Sequence, residues 1–156
     1  MESIKNIIQS KDLFLIAGPC VIENADLTFE IASKLKEITS QLNIPFVFKA
    51  SYKKENRTKL NSFTGPGIEE GIQILKHIKQ ELNIPITTDV HNTTDVKHVA
   101  DIIDIIQIPA FLCRQTDILT AAAKTNKYVN VKKGPFLSGE SCQFIIEKIR
   151  NYGNNN

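Results

Sequence analysis

Polar and ionisable side chains follow five short apolar segments of the chain, each at the point where the segment ends. The residues at these points are Cys20, Lys49, Ser51, Asp89, His91, Gln107, Lys132 and Lys133. A thiolate can bind a borderline or soft metal ion, ammonium groups attract anions, and carboxylate or imidazole groups transfer protons. Five separate segments that all end in such groups indicate a site for a small anionic molecule better than any single residue does.

The segment SYKKENRTKLNSFTGPG, which follows the second apolar segment, is long and cationic. Its cationic residues are Lys53, Lys54, Arg57 and Lys59. A solvated surface loop is the usual outcome for such a run. However, Arg57 stands between Asn56 and Thr58, so a guanidinium fork, an amide and a hydroxyl are adjacent, and this combination suits a phosphate monoester. The length and position of the loop favour a phosphate-binding site.

Each of these residues also has a structural explanation. Cys20 alone is more simply a small buried hydrophobe, and His91 is more simply a hydrogen-bonded structural residue. Asp89 can cap the helix that follows, although the residues just after it offer better caps. Lys132 can be a solvated strand end. Gln107 is harder to explain in this way, because IIQIPAF would bury its amide and a buried amide needs a hydrogen-bond partner.

The elements that must position these residues are short strands alternating with amphipathic helices. LNIP occurs at residues 42–45 and again at 82–85, 40 positions apart, and each copy closes a helical pattern and opens a strand. The predicted strands are 13–17, 45–49, 84–89, 103–107 and 128–131, and the predicted helices are 26–42, 67–82, 93–101, 115–124 and 139–150. This alternation predicts an α/β fold with a parallel sheet. The carboxyl ends of its strands then share one face, where ligands bind.

Two of the predicted helices carry their apolar residues on one face. These residues are Leu27, Ile31, Leu35, Ile38 and Leu42 in the first, and Ile68, Ile72, Leu75, Ile78 and Leu82 in the second. An apolar stripe of this kind is typical of the core-facing side of a helix.

The composition limits the classes of function. The chain has 156 residues, is 42% hydrophobic and 23% charged, and carries a formal net charge of +2, which is ordinary for one soluble domain spanning residues 1–156. This charge is too small to predict binding to nucleic acid or to a membrane surface. The N-terminus lacks the continuous apolar core of a signal peptide, and no segment resembles a membrane span. The three separated cysteines predict reduced thiols in the cytoplasm.

Several motifs occur in a fixed order along the chain, namely IAGPCVIE, FVFKASYKKENRTKLNSFTGPG, TTDVH, DIIQIPAFLCRQTD and NVKKG. In this order they resemble the 3-deoxy-D-manno-octulosonate 8-phosphate (KDO8P) synthase family, from about residue 13 to the C-terminus. The resemblance implies a (β/α)8 TIM barrel, of which this chain would cover about five of the eight units, assembled as a homotetramer. It also implies condensation of phosphoenolpyruvate with D-arabinose 5-phosphate and water to give KDO8P and phosphate, for lipopolysaccharide biosynthesis.

The resemblance assigns roles to individual residues. It implies catalytic roles for Lys49, Asp89, His91 and Gln107. It implies substrate binding by Ser51, Lys54, Asn56, Arg57, Thr58, Ala110, Phe111, Arg114 and Lys132. Within this set, the loop residues 56–58 would hold the pentose phosphate. Lys49, Ser51 and Lys54 would line the phosphoenolpyruvate side, and Lys132 would contact the phosphate or carboxylate of that substrate.

Cys20 indicates the metal-dependent branch of this family, in which the cysteine of AGPC is a metal ligand. The expected cofactor is a divalent ion, either Zn, Fe or Mn, in the complete enzyme. The sister synthase that makes 3-deoxy-arabino-heptulosonate 7-phosphate typically has a K-P-R-T pattern in the cationic loop. Here the loop reads Lys54-Glu55-Asn56-Arg57-Thr58, and Asn followed by Arg favours the five-carbon sugar phosphate.

The sequence departs from the family pattern in three ways. The other metal ligands of the family (His, Glu and Asp) and a further phosphate-binding Arg lie beyond the fifth unit, so we expect this chain to be a fragment. Pro135 replaces a usual Gln, and Lys53 and Glu55 replace a common Asp and Ala. Two alternatives therefore stay open: a non-enzymatic remnant that binds phosphate or pairs with a complete subunit, and the sister heptulosonate synthase.

Overall fold

The computed structural model describes residues 4–10 and 12–156 and forms two compact units, Met1–Thr88 and Asp89–Asn156. Residues 1–3 and 11, which fall within the predicted domain 1–156, lie outside the described residues. The assignment of a single domain stays a prediction. In the described part of the chain, none of the helices combines the length and the apolar character that crossing a membrane requires.

The described residues of the first unit form three helices and three strands. They are α1 (Ile4–Gln9), β1 (Leu15–Ala17), α2 (Ala25–Gln41), β2 (Phe46–Lys49), α3 (Ile68–Leu82) and β3 (Ile86–Asp89), whose last residue begins the second unit. The strands are parallel, with Ile16 opposite Val47 and Lys49 opposite Thr87. Side chains at paired positions of parallel strands share one face of the sheet. The side chains of Lys49 and Thr87 are therefore neighbours.

The second unit continues the same alternation of helix and strand. It contains α4 (Thr93–Val99), β4 (Ile105–Ile108), a 3-10 helix (Ala110–Leu112), α5 (Thr116–Ala123), β5 (Tyr128–Val131) and α6 (Cys142–Asn151). Strands β4 and β5 are parallel, with Gln107 opposite Asn130. The N–H of Val90 donates to the carbonyl of Gln107 at 3.1 Å, so the segment that ends β3 lies beside β4. The parallel strand–helix order confirms the predicted α/β fold, as expected of about five units of a TIM barrel.

The repeated LNIP segments end helices and begin strands, as predicted. Asn43 and Asn83 adopt the left-handed conformation, with φ of 55° and 51°, in which asparagine is favoured over other residues with a side chain. Pro45 and Pro85 have no N–H, but each carbonyl accepts a hydrogen bond from the neighbouring strand, at 2.9 Å in both cases. A proline at the start of a strand is thereby tolerated.

The two amphipathic helices of the first unit differ in how they pack. Helix α3 buries the predicted stripe at Ile72, Leu75 and Ile78. The prediction for α2 was wrong in part, because this helix exposes Leu27, Ile38 and Leu42, and its fully buried residues are Thr28, Ala32 and Thr39. Both buried threonine hydroxyls donate to carbonyls of the same helix, to those of Asn24 at 2.6 Å and Leu35 at 2.8 Å. The packed face of α2 thus consists of small side chains whose hydroxyls form hydrogen bonds with the backbone of the same helix.

Replacing Asn83 tests the closing turn of α3. Asn83→Ala is expected to lower the free energy of unfolding by about 1 kcal/mol, because a β-carbon without a polar group disfavours the left-handed conformation. Asn83→Gly is the matched control and should cost nothing, since glycine adopts this conformation freely. Urea unfolding of the two variants gives the comparison. Equal destabilisation by alanine and glycine would contradict the explanation.

Candidate active site

The turn after β1 is shaped by a close approach between two strand ends. A β-carbon on Gly18 would lie 1.9 Å from the carbonyl oxygen of Lys49, so only glycine fits at this position. Pro19 follows and restricts the backbone, and Cys20 comes next with its side chain exposed. The interpretation of Cys20 as a buried hydrophobe was therefore wrong. The thiol stands on a rigid turn at the carboxyl end of β1, where it is accessible to a ligand.

Lys49 and Ser51 are brought together at the end of β2. The Nζ of Lys49 donates to the Oγ of Ser51 at 2.9 Å, and Ser51 is fully buried. The carbonyl of Ser51 accepts from the N–H of Ile22 at 3.0 Å, which ties the segment after β1 to the segment after β2. The hydroxyl thus holds the ammonium group in one place. A fixed cation at a strand end suits the binding of an anionic substrate.

Tyr52 anchors the long loop that follows, although its sequence had suggested no role. Its side chain is 1% exposed, and its carbonyl accepts from the N–H of Gly67 at 3.2 Å. A β-carbon on Gly71 would lie 2.4 Å from the Tyr52 β-carbon, and one on Gly65 would lie 2.4 Å from the Tyr52 carbonyl oxygen. The sequence signal for this anchor was the group of glycines at 65, 67 and 71. Their lack of side chains lets the ring and backbone of Tyr52 pack against the start of α3.

The predicted phosphate-binding residues lie at the exposed tip of this loop. They are Asn56, Arg57 and Thr58. The N–H of Lys54 donates to the carbonyl of Thr64 at 2.7 Å, and the Nε of Arg57 donates to the carbonyl of Phe63 at 3.1 Å. These bonds close the loop on itself. The guanidinium is oriented through Nε, while its two terminal nitrogens carry the fork of donors that a phosphate requires.

The two unusual residues of the loop contact each other. The Nζ of Lys53 lies 2.5 Å from a carboxylate oxygen of Glu55, and about half of each side chain is exposed. An exposed ion pair of this kind contributes little stability. It does balance the negative charge of Glu55 beside Arg57. The charges of Lys53 and Glu55 cancel, so the exchange only removes the negative charge of the common Asp and leaves the loop cationic.

A buried chain of polar side chains connects three strand ends in the second unit. Asp89 and Gln107 are 5% and 8% exposed, and Gln107 donates from Nε2 to Oδ1 of Asp89. Asn130, which is half-buried, donates from Nδ2 to Oε1 of Gln107 at 3.0 Å. The expectation that the buried amide of Gln107 needs a partner is confirmed. Sequence reasoning missed Asn130, although a polar residue inside the apolar segment YVNV was a signal of the same kind.

Asp89 does not cap the following helix. The cap of α4 is Asn92, whose side-chain oxygen accepts from the N–H groups of Thr94 and Asp95, both at 2.9 Å. The carboxylate of Asp95 in turn accepts from the backbone N–H of His91 at 3.2 Å, so the half-buried His91 is held just beyond β3. The Asp89 carboxylate instead accepts a hydrogen bond from Gln107 at the strand end.

The remaining predicted residues of the second unit follow β4 and β5. Ala110 and Phe111 lie in the 3-10 helix, and the Phe111 ring is 64% exposed. Arg114 is exposed, and its carbonyl accepts from Lys148 at 3.0 Å. Lys132 is exposed after β5, with its backbone N–H bonded to the carbonyl of Ile108 at 3.0 Å.

Lys132 and its neighbour Lys133 differ in their surroundings. The Nζ of Lys133 donates to the carbonyls of Gly134 at 3.1 Å and Leu137 at 2.8 Å, within its own loop. Its ammonium group therefore stabilises the segment that contains Pro135. Of the two neighbouring lysines, Lys132 is the better candidate for contacting a substrate.

Within the part of the chain that the structure describes, Cys20 does not belong to a complete metal site. Among residues 4–10 and 12–156, no three His, Cys, Asp or Glu side chains lie close enough together to hold a metal ion. A protein zinc site normally has at least three protein ligands. The described residues therefore supply one candidate ligand and do not fit a bound metal by themselves.

Known proteins similar to this chain agree on one family. Residues 2–156 match the DAHP synthetase I family. A 2-dehydro-3-deoxyphosphooctonate aldolase of Koribacter versatilis is 52% identical over 142 residues, which are 91% of this chain and 51% of that protein. Proteins of the same name from a Polaromonas species and Campylobacter jejuni subsp. doylei are 51% and 50% identical, over 90% and 89% of this chain. The chain spans about half the length of these curated relatives.

Proposed function

Because the chain belongs to the DAHP synthetase I family, we propose that it forms the N-terminal half of a KDO8P synthase. This enzyme is named 2-dehydro-3-deoxyphosphooctonate aldolase in the similar proteins. The observation that carries the proposal is identity of 50–52% to these proteins over about nine tenths of the chain. The substrates would be phosphoenolpyruvate and D-arabinose 5-phosphate. Cytoplasmic location, which the separated cysteines predict, and assembly as a tetramer, which the resemblance implies, stay predictions.

The reaction requires positive charge at several places, because both substrates are anions that must approach closely. C3 of phosphoenolpyruvate forms a bond to the aldehyde carbon of the pentose, whose oxygen becomes a hydroxyl. Water adds at C2, and the bond between that carbon and the phosphate oxygen breaks as phosphate leaves. In this proposal Arg57 binds the sugar phosphate, with Asn56 and Thr58 beside it. Lys49 and Lys132 bind phosphoenolpyruvate.

The buried groups of the second unit suit the reacting centre. Asp89 is held by Gln107 rather than by water, since both are nearly excluded from solvent. A carboxylate fixed in this way can orient a hydroxyl or a water molecule without reorganising during the reaction. His91, Phe111 and Ala110 would complete the walls of the site.

Cys20 is proposed as one metal ligand of the complete protein. Its exposed thiol on the turn after β1 has the chemistry that Zn or Fe prefers. The further ligands (His, Glu and Asp in the resembling family) would lie on residues outside this chain. When bound, such an ion would act as a Lewis acid on the sugar oxygens or on water.

Extending the chain tests the proposed activity. We expect the 156-residue chain to release no phosphate from the two substrates, and a fusion to the second half of the Koribacter relative to release it. Inorganic phosphate is measured with arabinose 5-phosphate and, separately, with erythrose 4-phosphate. The family name makes the sister synthase the second candidate, and preference for erythrose 4-phosphate would favour it. No turnover with either sugar, together with binding to a complete homologue, would favour the remnant.

Removing one loop cation at a time tests the phosphate site. Arg57→Ala in the fusion is expected to raise KM for the sugar phosphate by about 10-fold or more, because a charge-assisted hydrogen bond contributes about 1.5–3 kcal/mol. Lys59→Ala removes one cation from the same exposed loop and is the matched control, with little change expected. An equal rise in KM for both variants would show that Arg57 contributes only general charge.

Replacing the thiol tests the metal. In the fusion, Cys20→Ser should lower the content of bound Zn or Fe and the rate of phosphate release together, because a hydroxyl is a much poorer ligand for these ions than a thiolate. Cys142→Ser, at a half-buried thiol in α6, is the control. Metal content is measured by elemental analysis after dialysis. Full activity of Cys20→Ser, or activity that survives complete removal of metal, would exclude the assignment.

A further inference from the structure

Asp89, Gln107 and Asn130 form a row of hydrogen-bonded side chains, here called the amide row, across the ends of β3, β4 and β5. Gln107 and Asn130 are directly opposite each other in the parallel register. Asp89 and Gln107 are 5% and 8% exposed, and Asn130 is half-buried. A polar row in such surroundings is stable only if each member is satisfied, because unpaired polar atoms are costly to bury.

When Asp89 is ionised, the donors and acceptors of the amide row can be arranged in only one way. A carboxamide can turn over and exchange its oxygen and NH2 group, with little change in shape. An ionised Asp89 can only accept, so the NH2 group of Gln107 must face it. The Oε1 of Gln107 then faces Asn130 and needs a donor, which the Nδ2 of Asn130 supplies at 3.0 Å.

We propose that Asn130 is a positioning residue, whose NH2 group keeps the Gln107 carboxamide in the orientation that Asp89 requires and so helps to hold the Asp89 carboxylate. The effect of Asn130 on catalysis rests on the proposed function, in which Asp89 belongs to the reacting centre. Asn130 itself touches no reacting atom in this proposal. Its contribution is to supply the donor that the Oε1 of Gln107 needs in this orientation, and an acceptor in its place would compete with Asp89 for the NH2 group of Gln107.

An isosteric acid at position 130 tests the orientation directly. In Asn130→Asp the donor becomes a carboxylate oxygen, so two carboxylates compete for the one NH2 group of Gln107, and Asp89 should hold that group in fewer molecules. The probe is the side-chain NH2 signal of Gln107 in a ¹H–¹⁵N spectrum of the full 156-residue chain. In the wild-type background, Asp89→Ala should shift this signal strongly. In the Asn130→Asp background the same Asp89→Ala change should shift the signal much less.

The control is Asn155→Asp, which adds the same charge at an exposed position of the second unit. In this background Asp89→Ala should shift the Gln107 signal as in the wild type. Asn130→Ala is the second variant, and it should move the Gln107 signal toward the position of a solvated amide. A Gln107 signal that responds to Asp89→Ala equally in all backgrounds would overturn the proposal. Loss of the folded spectrum in both variants at position 130 would also overturn it, by showing a purely structural role.

The catalytic consequence is measured separately in the fusion protein. Asn130→Asp is expected to lower kcat on the order of 10²-fold, the effect of misplacing a reacting group, without changing KM for either substrate. If Asn130 only supported folding, the substitution would lower the amount of folded enzyme and leave kcat per folded molecule unchanged. An unchanged kcat per folded molecule would therefore overturn the positioning role. An inactive wild-type fusion would contradict the proposed function. The NH2 signal of Gln107 would still test the orientation of its carboxamide independently.

Discussion

Parallel pairing of consecutive strands is the constraint on which each unit of this structure depends. Because parallel strands run in the same direction, every turn after a strand lies at the same edge of its sheet. In the first unit this brings Gly18 against the carbonyl of Lys49, at a distance that excludes any side chain. In the second unit it aligns Gln107 with Asn130. The positions of the candidate functional residues follow from this pairing rather than from contacts among the residues themselves.

The two units differ chemically in the kind of polar group that they bury. The first unit places one buried hydroxyl, that of Ser51, under the ammonium group of Lys49 and exposes its cationic loop. The second unit buries a carboxylate and a carboxamide almost completely. Exposed cations can attract an anion from solution, whereas a buried carboxylate can act only on a group brought to it. The exposed cationic loop is therefore suited to attracting an anionic substrate, and the amide row is suited to a place at the reacting centre.

Sequence reasoning succeeded where one local rule decides the conformation. Asn in LNIP closes both helices because few other residues tolerate a left-handed backbone, and the need of Gln107 for a partner follows from an amide inside an apolar strand. It failed where burial depends on neighbours distant in sequence. The exposed stripe of α2 has the same period as the buried stripe of α3, so periodicity alone could not separate them. Helix α1 and the 3-10 helix were too short for the pattern to detect, and the anchor role of Tyr52 depends on three distant glycines.

The outer edge of β1 has a consequence for handling the protein. Leu15 and Ile16 are 37% and 36% exposed, whereas Phe46 and Val47, their partners in β2, are buried. An apolar strand with unpaired backbone groups is a template on which another extended segment can add. The strand is only three residues long, which limits such growth. Concentrated samples of this chain are therefore susceptible to weak, reversible self-association through β1, and dilute solutions are the safer choice for spectroscopy.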